Sequence, residues 1–181
     1  MCGFVVTTDI NNTELMLSKQ AFRGPDAQSF YKDKYIGMGH ALLDINGETQ
    51  VQPYKTKNGN YIVFNGEMYD TTIPNDTEYL ANGLETYGVD FLVHNDWHGS
   101  LVWYKPKEKE VFMVRDHFGA KPLWHYQKGS QFTITTSLRS ILNGEPDNTY
   151  VKEYRVNSLL QGDECHIKNV RIYGPCVSNP F

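Results

Sequence analysis

Short apolar runs separated by glycine and asparagine recur along most of the chain. They are rich in β-branched and aromatic residues, and Asn-Gly pairs stand between several of them. Both features are typical of strands joined by hairpin-length turns. The pattern predicts strands over residues 3–8, 28–31, 35–43, 61–64, 99–104, 110–115, 122–126 and 131–136, with weaker ones around 155–160 and 167–173.

A first helix is predicted over residues 13–22, TELMLSKQAF, where apolar residues recur at helical rather than alternating spacing. Asn11 or Asn12 is available to cap its first turn. The residues expected on one face are Leu15, Lys19 and Phe22.

A second helix is predicted over residues 76–88, DTEYLANGLETYG. Asn75 and Asp76 open it, and Gly88 is a suitable residue for its C-terminal end. Its expected apolar face consists of Leu80, Leu84 and Tyr87. A shorter helical turn is predicted over residues 137–143.

This order of elements indicates the fold class. Many strands are joined by short turns, and two helices separate groups of them. That layout favours an α+β domain with packed antiparallel sheets over a doubly wound α/β fold. A length of 181 residues suits one domain, which we expect over residues 1–181.

Composition and charge exclude several classes of protein. The net charge is −4 and no long basic run occurs, so nothing indicates a nucleic-acid partner. No apolar run has the length of a membrane span, and no secretory signal is recognisable. Three cysteines without CxxC spacing fit a reducing compartment, and we expect a cytoplasmic protein without a metal site or another cofactor.

Cys2 is the first candidate for chemistry, although an isolated cysteine is more often a small buried apolar residue. A small second residue generally permits removal of the initiator methionine. Cys2 would then carry a free α-amino group whose pKa of about 8 lets it act as a base near neutral pH. Nucleophile and base would belong to one residue, as in the N-terminal threonine hydrolases.

Two further segments could assist catalysis if Cys2 is a nucleophile. Asn65 and Gly66 could hold a developing oxyanion through a side-chain amide and an accessible backbone N–H. Taken alone, however, Asn-Gly is the strongest short hairpin signal. Arg23, in the segment RGPD, could favour a thiolate or could simply belong to a rigid turn.

Taken in order, eight segments resemble a known family: MCGF (1–4), FRGPD (22–26), GHALLDI (39–45), QP (52–53), FNGEMYD (64–70), NDTEYL (75–80), VRDHFGAKPLW (114–124) and TTSLRSIL (135–142). The chain is similar to the class II glutamine amidotransferase domain, in particular to the glutaminase domain of asparagine synthetase. The resemblance is clear over residues 1–145 and weak over residues 146–181.

The resemblance implies an N-terminal-nucleophile (Ntn) hydrolase fold, a four-layer αββα sandwich of two antiparallel sheets. It implies that Cys2 attacks the carboxamide of glutamine to form a thioester, with Asn65 and Gly66 as the oxyanion hole. It also implies that Asp76 pairs with the substrate α-ammonium. Glu67 belongs to the same substrate-binding segment, and Arg23 matches an arginine that orders the surroundings of the nucleophile.

Leu42 departs from the family pattern. Members of the family carry an arginine at this position, which grips the α-carboxylate of glutamine. A bidentate arginine–carboxylate contact is strong and oriented, so its loss should weaken glutamine binding unless another cation substitutes. Arg23, Arg139 and a lysine are the candidates.

The 181 residues contain no SGGxDS pyrophosphate loop of the kind found in synthetase domains. We therefore expect a stand-alone glutaminase subunit that passes ammonia to a separate ATP-dependent synthetase. Two alternatives remain open. Cys2 could act on an amide without an α-carboxylate, or the chain could be a degenerate amidotransferase fold that serves as a binding or regulatory module.

Overall fold

Antiparallel strands make up most of the regular structure in the computed structural model, which describes residues 1–45, 49–69, 73, 75–142, 144–145, 169–172 and 179–180. The strands are β1 (Gly3–Thr7), β2 (Ala27–Lys32), β3 (Gly37–Leu42), β4 (Tyr54–Lys55), β5 (Tyr61–Met68), β6 (Trp97–Lys105), β7 (Glu110–Arg115), β8 (Trp124–Lys128), β9 (Gln131–Thr135), β10 (Val170–Ile172) and β11 (Asn179–Pro180). They form a first sheet of order β10-β8-β9-β1-β3-β2 and a second of order β11-β7-β6-β5-β4.

Two α-helices cover the outer faces of these sheets. Helix α1 (Thr13–Ser18) lies on the first sheet, where Met16 and Leu17 pack against Val5 and Ala41. Helix α2 (Asp76–Tyr87) lies on the second sheet, and its apolar face packs against side chains of β5 and β6. The residues that form this second contact are Leu80, Ala81 and Leu84 from α2 and Ile62, Phe64, Leu101 and Trp103 from the sheet. Short 3₁₀ helices occupy Ile10–Asn12, Ala21–Arg23, Gly88–Val93 and Leu138–Ser140.

The inner faces of the two sheets form the central core. Fully buried side chains of the first sheet meet those of the second, and they include Phe4, Val6, Met38 and Ile134 from one sheet and Val63, Val102 and Met113 from the other. The layers therefore run helix, sheet, sheet, helix. The predicted α+β class and αββα order are confirmed.

The alternation of side chains along three strands creates a cleft at one end of this sandwich. Phe4 in β1, Met38 in β3 and Val63 in β5 all face the gap between the sheets. Because successive side chains in a strand point to opposite faces, positions two or four residues before or after these point to the same side. These positions are Cys2, Leu42 and Asn65.

Strand β1 holds the start of the chain inside the first sheet. It pairs with β3 on one side and with β9 on the other. Side chains extend this anchoring beyond the ladders, since Phe4 donates its N–H to Thr136 Oγ1 at 3.0 Å and Gln20 Nε2 donates to the Phe4 carbonyl at 2.9 Å. Residue 2 therefore directly precedes a strand that is hydrogen-bonded along both edges.

The first helix differs from its prediction. It ends at Ser18, and the predicted face is exposed, with Leu15 47% and Phe22 63% accessible. Only Thr13, Met16 and Leu17 are buried, because a helix of less than two turns turns only a narrow stripe towards the sheet. Asn12 occupies the N-cap position but makes no capping hydrogen bond, since its amide donates to Asp9 instead.

The second helix follows its prediction closely. Asn75 caps it by accepting the Glu78 N–H at 2.9 Å, and Gly88 ends it with a φ of 65°. Leu80 and Leu84 are buried, but the prediction for Tyr87 is wrong, since its side chain is 68% exposed.

Most predicted strands are present, with boundaries shifted by one to four residues in places. The predicted strand at 122–126 begins at Trp124, and the turn at 137–143 contains the 3₁₀ helix Leu138–Ser140. The prediction for 155–160 lies outside the described residues. No helix in the described part of the chain is long and apolar enough to cross a membrane.

Candidate active site

A cavity of about 220 Å³ opens at the end of the sandwich where the cleft lies. Six of the seven predicted site residues line it: Cys2, Leu42, Asn65, Gly66, Glu67 and Asp76. Met1, Gln52, His98 and Lys121 are among the other lining residues. Arg23 is absent from the cavity wall. The cleft thus gathers segments that are far apart in the sequence.

Cys2 is partly buried and is a free cysteine. Its Sγ atom lies 3.4 Å from the backbone nitrogen of Leu43 and 3.7 Å from the Leu43 carbonyl oxygen. The Leu43 N–H can donate to the sulfur, and the thiol can donate to the Leu43 carbonyl oxygen. The nucleophile candidate is therefore held against the end of β3.

Arg23 acts on Cys2 through the backbone. Its Nε–H donates to the Cys2 carbonyl oxygen at 3.1 Å, and its Nη2 lies 3.9 Å from the Met1 sulfur. Burial lowers the pKa of the guanidinium, and the nearby Cys2 opposes that shift. Arg23 therefore positions the start of the chain and places a positive charge behind it.

Asn65 brings a hydrogen-bond donor to the cavity without a partner. Its side chain is 2% exposed, and within the described residues its Nδ2 atom makes no hydrogen bond. A buried amide without a partner costs free energy, so native proteins rarely keep one without a use for it. The hairpin interpretation of Asn65-Gly66 is wrong, because both residues lie inside β5.

Gly66 is required by the close approach of β6. It pairs with Gly99, and a Cβ atom at residue 66 would lie 2.1 Å from the His98 carbonyl oxygen and 2.7 Å from the Gly99 Cα. No side chain fits that space. Residue 66 must therefore be glycine for β5 and β6 to approach this closely.

Three carboxylates line the cavity, and two of them, Asp76 and Glu67, lie at the end of β5. Asp76, in the first turn of α2, accepts the Met68 N–H through Oδ2 at 3.0 Å and so ties the helix to the end of β5. Glu67 is exposed and lies opposite His98 in the β5–β6 ladder. Together they give this part of the cavity negative charge, which suits a cationic group of a ligand.

Gln52 is a site residue to which the sequence assigned no role, although it begins the QP segment. It is 4% exposed, accepts the Phe64 N–H through Oε1 at 2.6 Å and donates through Nε2 to Thr77 Oγ1 at 3.1 Å. It therefore joins the strand that carries Asn65 to the helix that carries Asp76. A buried glutamine beside proline gives no local signal of this bridging position.

The loop after β7 forms the remaining wall. Asp116 is 1% exposed and accepts the N–H groups of Gly99, Phe118 and Ala120 at 2.9–3.0 Å. Burial opposes its ionisation, but these donors outweigh burial and hold the pKa of Asp116 below its usual value. The loop is thus fastened to β6, the partner strand of Gly66, and it carries Lys121 to the cavity.

Leu42 is buried, at 8% exposure, and presents an apolar wall. Neither arginine proposed to compensate for it lines the cavity. Arg23 is bound to the Cys2 carbonyl, and Arg139 lies over the ring of Phe22 at 5.0 Å. Among the described lining residues, Lys121 is the only lysine or arginine.

Comparison with known proteins gives a consistent result. A family model described as "Glutamine amidotransferase domain" matches residues 1–178. Two asparagine synthetases [glutamine-hydrolyzing] of Bacillus subtilis, numbers 3 and 2, are 26% and 29% identical over 174 and 143 residues. These matches cover 81% and 68% of this chain but only 28% and 18% of the two synthetases, so the chain spans less than a third of either.

A solved structure of glutamine phosphoribosylpyrophosphate amidotransferase from Bacillus subtilis, complexed with ADP and GMP, superposes with a TM-score of 0.63. The sequences are 16% identical, and the match covers 78% of this chain and 43% of the other. At this identity the likeness bears on the fold alone. It confirms the predicted Ntn-hydrolase type of sandwich.

Proposed function

Because the chain belongs to the glutamine amidotransferase domain family, we propose that it hydrolyses the side-chain amide of glutamine and releases ammonia. The observation that carries this proposal concerns Asn65, which lines the same cavity as Cys2. Its Nδ2 atom is buried and has no hydrogen-bond partner among the residues that the structure describes. A donor held in this way suits an oxygen that becomes negatively charged during the reaction.

The first chemical step begins after removal of Met1. The free α-amino group of Cys2 accepts the thiol proton, and the sulfur attacks the carboxamide carbon of glutamine. The C–N bond then breaks, and the amino group returns the proton to the nitrogen, which leaves as ammonia. A glutamyl thioester on Cys2 remains.

Water completes the reaction. The same α-amino group takes a proton from a water molecule, which attacks the thioester carbonyl, and the C–S bond breaks. Glutamate leaves and Cys2 regains its proton. In both steps the carbonyl oxygen gains negative charge, which Asn65 Nδ2 and the Gly66 N–H would stabilise.

Asp76 and Glu67 suit the α-ammonium group of glutamine. Both carboxylates line the cavity, and Asp76 is fixed by its bond to the Met68 N–H. Arg23 is a positioning residue in this scheme, because it holds the Cys2 carbonyl from outside the cavity. The need for a free thiol at Cys2 agrees with the expected cytoplasmic, reducing location.

We also propose an acceptor for the ammonia, namely an ATP-dependent synthetase. The named relatives are asparagine synthetases, and most of their length lies outside the match. The use of ammonia by such a synthetase requires residues outside the matched region, and we propose that a separate subunit supplies them. Affinity purification from the native cell should recover an ATP-dependent synthetase. Recovery of none, together with rapid glutamine hydrolysis by the chain alone, would contradict this arrangement.

The glutaminase proposal is tested by three linked measurements. Intact mass should show that active protein lacks Met1, a glutamine-like electrophile should label Cys2, and Cys2→Ala should abolish ammonia release. Active protein that retains Met1 would contradict the base assigned here. Hydrolysis of simple amides without hydrolysis of glutamine would favour an amidase of another substrate, and a processed but inactive protein would favour a binding module.

A further inference from the structure

The proposed substrate, glutamine, carries two charged groups, and at first sight the described lining residues offer a partner of opposite charge for only one of them. This inference rests on the proposed function. Free glutamine has an α-ammonium group, for which Glu67 and Asp76 are available, and an α-carboxylate. Leu42 offers that carboxylate no charge, and a carboxylate left unpaired in a partly enclosed site binds poorly.

Lys121 is the described residue that can supply the missing positive charge. It lines the cavity with Cys2 and Leu42, and it lies in the loop that connects β7 of the second sheet to β8 of the first. Within the described residues it forms no ion pair with a carboxylate, so its charge is not already neutralised by the protein.

The backbone around Lys121 is held in place by buried polar groups. Arg115 Nε–H donates to the Lys121 carbonyl oxygen at 2.6 Å. On one side, Asp116 accepts the Ala120 N–H at 3.0 Å, and on the other, Ser100 Oγ donates to the Pro122 carbonyl oxygen at 3.2 Å. The side chain therefore starts from a fixed point, which lowers the entropy lost when its ammonium group binds a ligand.

We infer that the Lys121 ammonium binds the α-carboxylate of glutamine and so restricts the enzyme to amides of free α-amino acids. Lysine makes a point-charge contact in place of a bidentate guanidinium fork. The contact is made equally in the ground state and the transition state, so its loss should raise KM more than it lowers kcat.

The test compares glutamine with its α-amide, in which a neutral carboxamide replaces the α-carboxylate. For Lys121→Met we expect KM for glutamine to rise about 10- to 100-fold, as for a lost hydrogen bond between charged groups. KM for the α-amide should change by less than about threefold, because no charge pair is lost. Lys121→Arg should retain most of the preference for glutamine.

Lys128→Met is the matched control, since the same substitution falls on an exposed lysine of β8 outside the cavity wall. It should leave both KM values unchanged. If Lys121→Met does not fold, Lys121→Gln gives the same comparison with a polar, neutral end. An equal rise for both substrates, or no rise for either, would overturn the role of Lys121.

Failure of the proposed function gives a different result. If the wild-type protein, with Cys2 as its first residue, releases no ammonia from glutamine, the glutaminase proposal is wrong regardless of Lys121. If the wild-type protein hydrolyses glutamine and Lys121→Met does so with an unchanged KM, only the assignment of Lys121 is wrong.

Discussion

Replacing Asn65 by leucine should separate catalysis from stability, because the two properties are expected to change in opposite directions. Leucine keeps the branch at Cγ and removes the amide. The Nδ2 atom of Asn65 is buried and has no partner within the described residues, so its removal ends a desolvation cost. The extra volume has room in the adjoining cavity of about 220 Å³.

The expected magnitudes follow from these two roles. Loss of an oxyanion donor should lower kcat about 10²- to 10³-fold. Relief of the unpaired buried donor should raise the free energy of unfolding by about 1–2 kcal/mol. Ammonia release at saturating glutamine gives the first quantity, and urea denaturation followed by fluorescence gives the second.

Asn60→Leu is the control for this experiment. Asn60 is also buried, but its Nδ2 donates to Glu85 Oε1 at 2.8 Å, so the same substitution there leaves an acceptor without its partner. It should lower stability by about 1–3 kcal/mol and leave kcat unchanged. If Asn65→Leu instead lost stability as Asn60→Leu does, or kept kcat within about tenfold of the wild type, Asn65 would not be an oxyanion donor.

Three further predictions concern the packing around the site. Gly66→Ala should destabilise the fold by about 2–3 kcal/mol in urea titrations, because its Cβ would overlap the backbone of His98; a change below about 0.5 kcal/mol would contradict the close strand approach. Burial lowers the pKa of His40 to about 4 from its ordinary 6.5, so the unfolded chain binds the proton more readily and stability should fall as the pH drops from 6.5 to 4. The free energy of unfolding should fall by at most about 3 kcal/mol over this range. A His40→Leu variant whose stability depends on pH with the same slope would refute the assignment to His40. Asp116→Asn should lower the free energy of unfolding by about 2–3 kcal/mol, because an amide cannot accept hydrogen bonds from all three backbone N–H groups that the carboxylate binds. An unchanged midpoint of thermal unfolding would contradict the role of these three hydrogen bonds.

The Asn65-Gly66 pair illustrates how far local sequence can predict this site. The resemblance implies an oxyanion hole at this segment, and the structure places both residues in the cavity wall, yet the local sequence signal favours a hairpin turn. What makes glycine necessary is Gly99 on the neighbouring strand, and that contact depends on the β5–β6 register. A signal that arises from strand pairing is not present in either segment alone.

The two helices show the same limit in a different way. Leu80 and Leu84 were predicted to be buried and are, because α2 is long enough for a full apolar stripe to lie on the sheet. Leu15 and Phe22 were predicted on a common face of α1, but the helix ends between them. In so short an element the contact with the sheet selects the buried residues, and periodicity carries little information.

With leucine at residue 42, the sequence leaves open which residue supplies a positive charge to the site, and only the fold shows which basic residues lie there. The sequence indicates that a positive charge is missing, and it offers two arginines and an unspecified lysine as candidates. Lys121 reaches the cavity through a loop from the other sheet, which Asp116 and Arg115 fasten in place. Which of several basic residues lies near a given position is a property of sheet packing, and spacing along the chain does not report it.

The central position of β1 has a consequence for the time at which the nucleophile becomes ordered during synthesis. The Phe4 N–H donates a hydrogen bond to Thr136, which is synthesised 132 residues later. At about 5–20 residues per second, roughly 7 to 26 seconds pass between the synthesis of these two residues. Throughout that interval one edge of β1 has no strand to pair with. The first residues of the chain therefore stay open to a processing aminopeptidase and to oxidants alike, and the sheet fixes Cys2 only near the end of that interval.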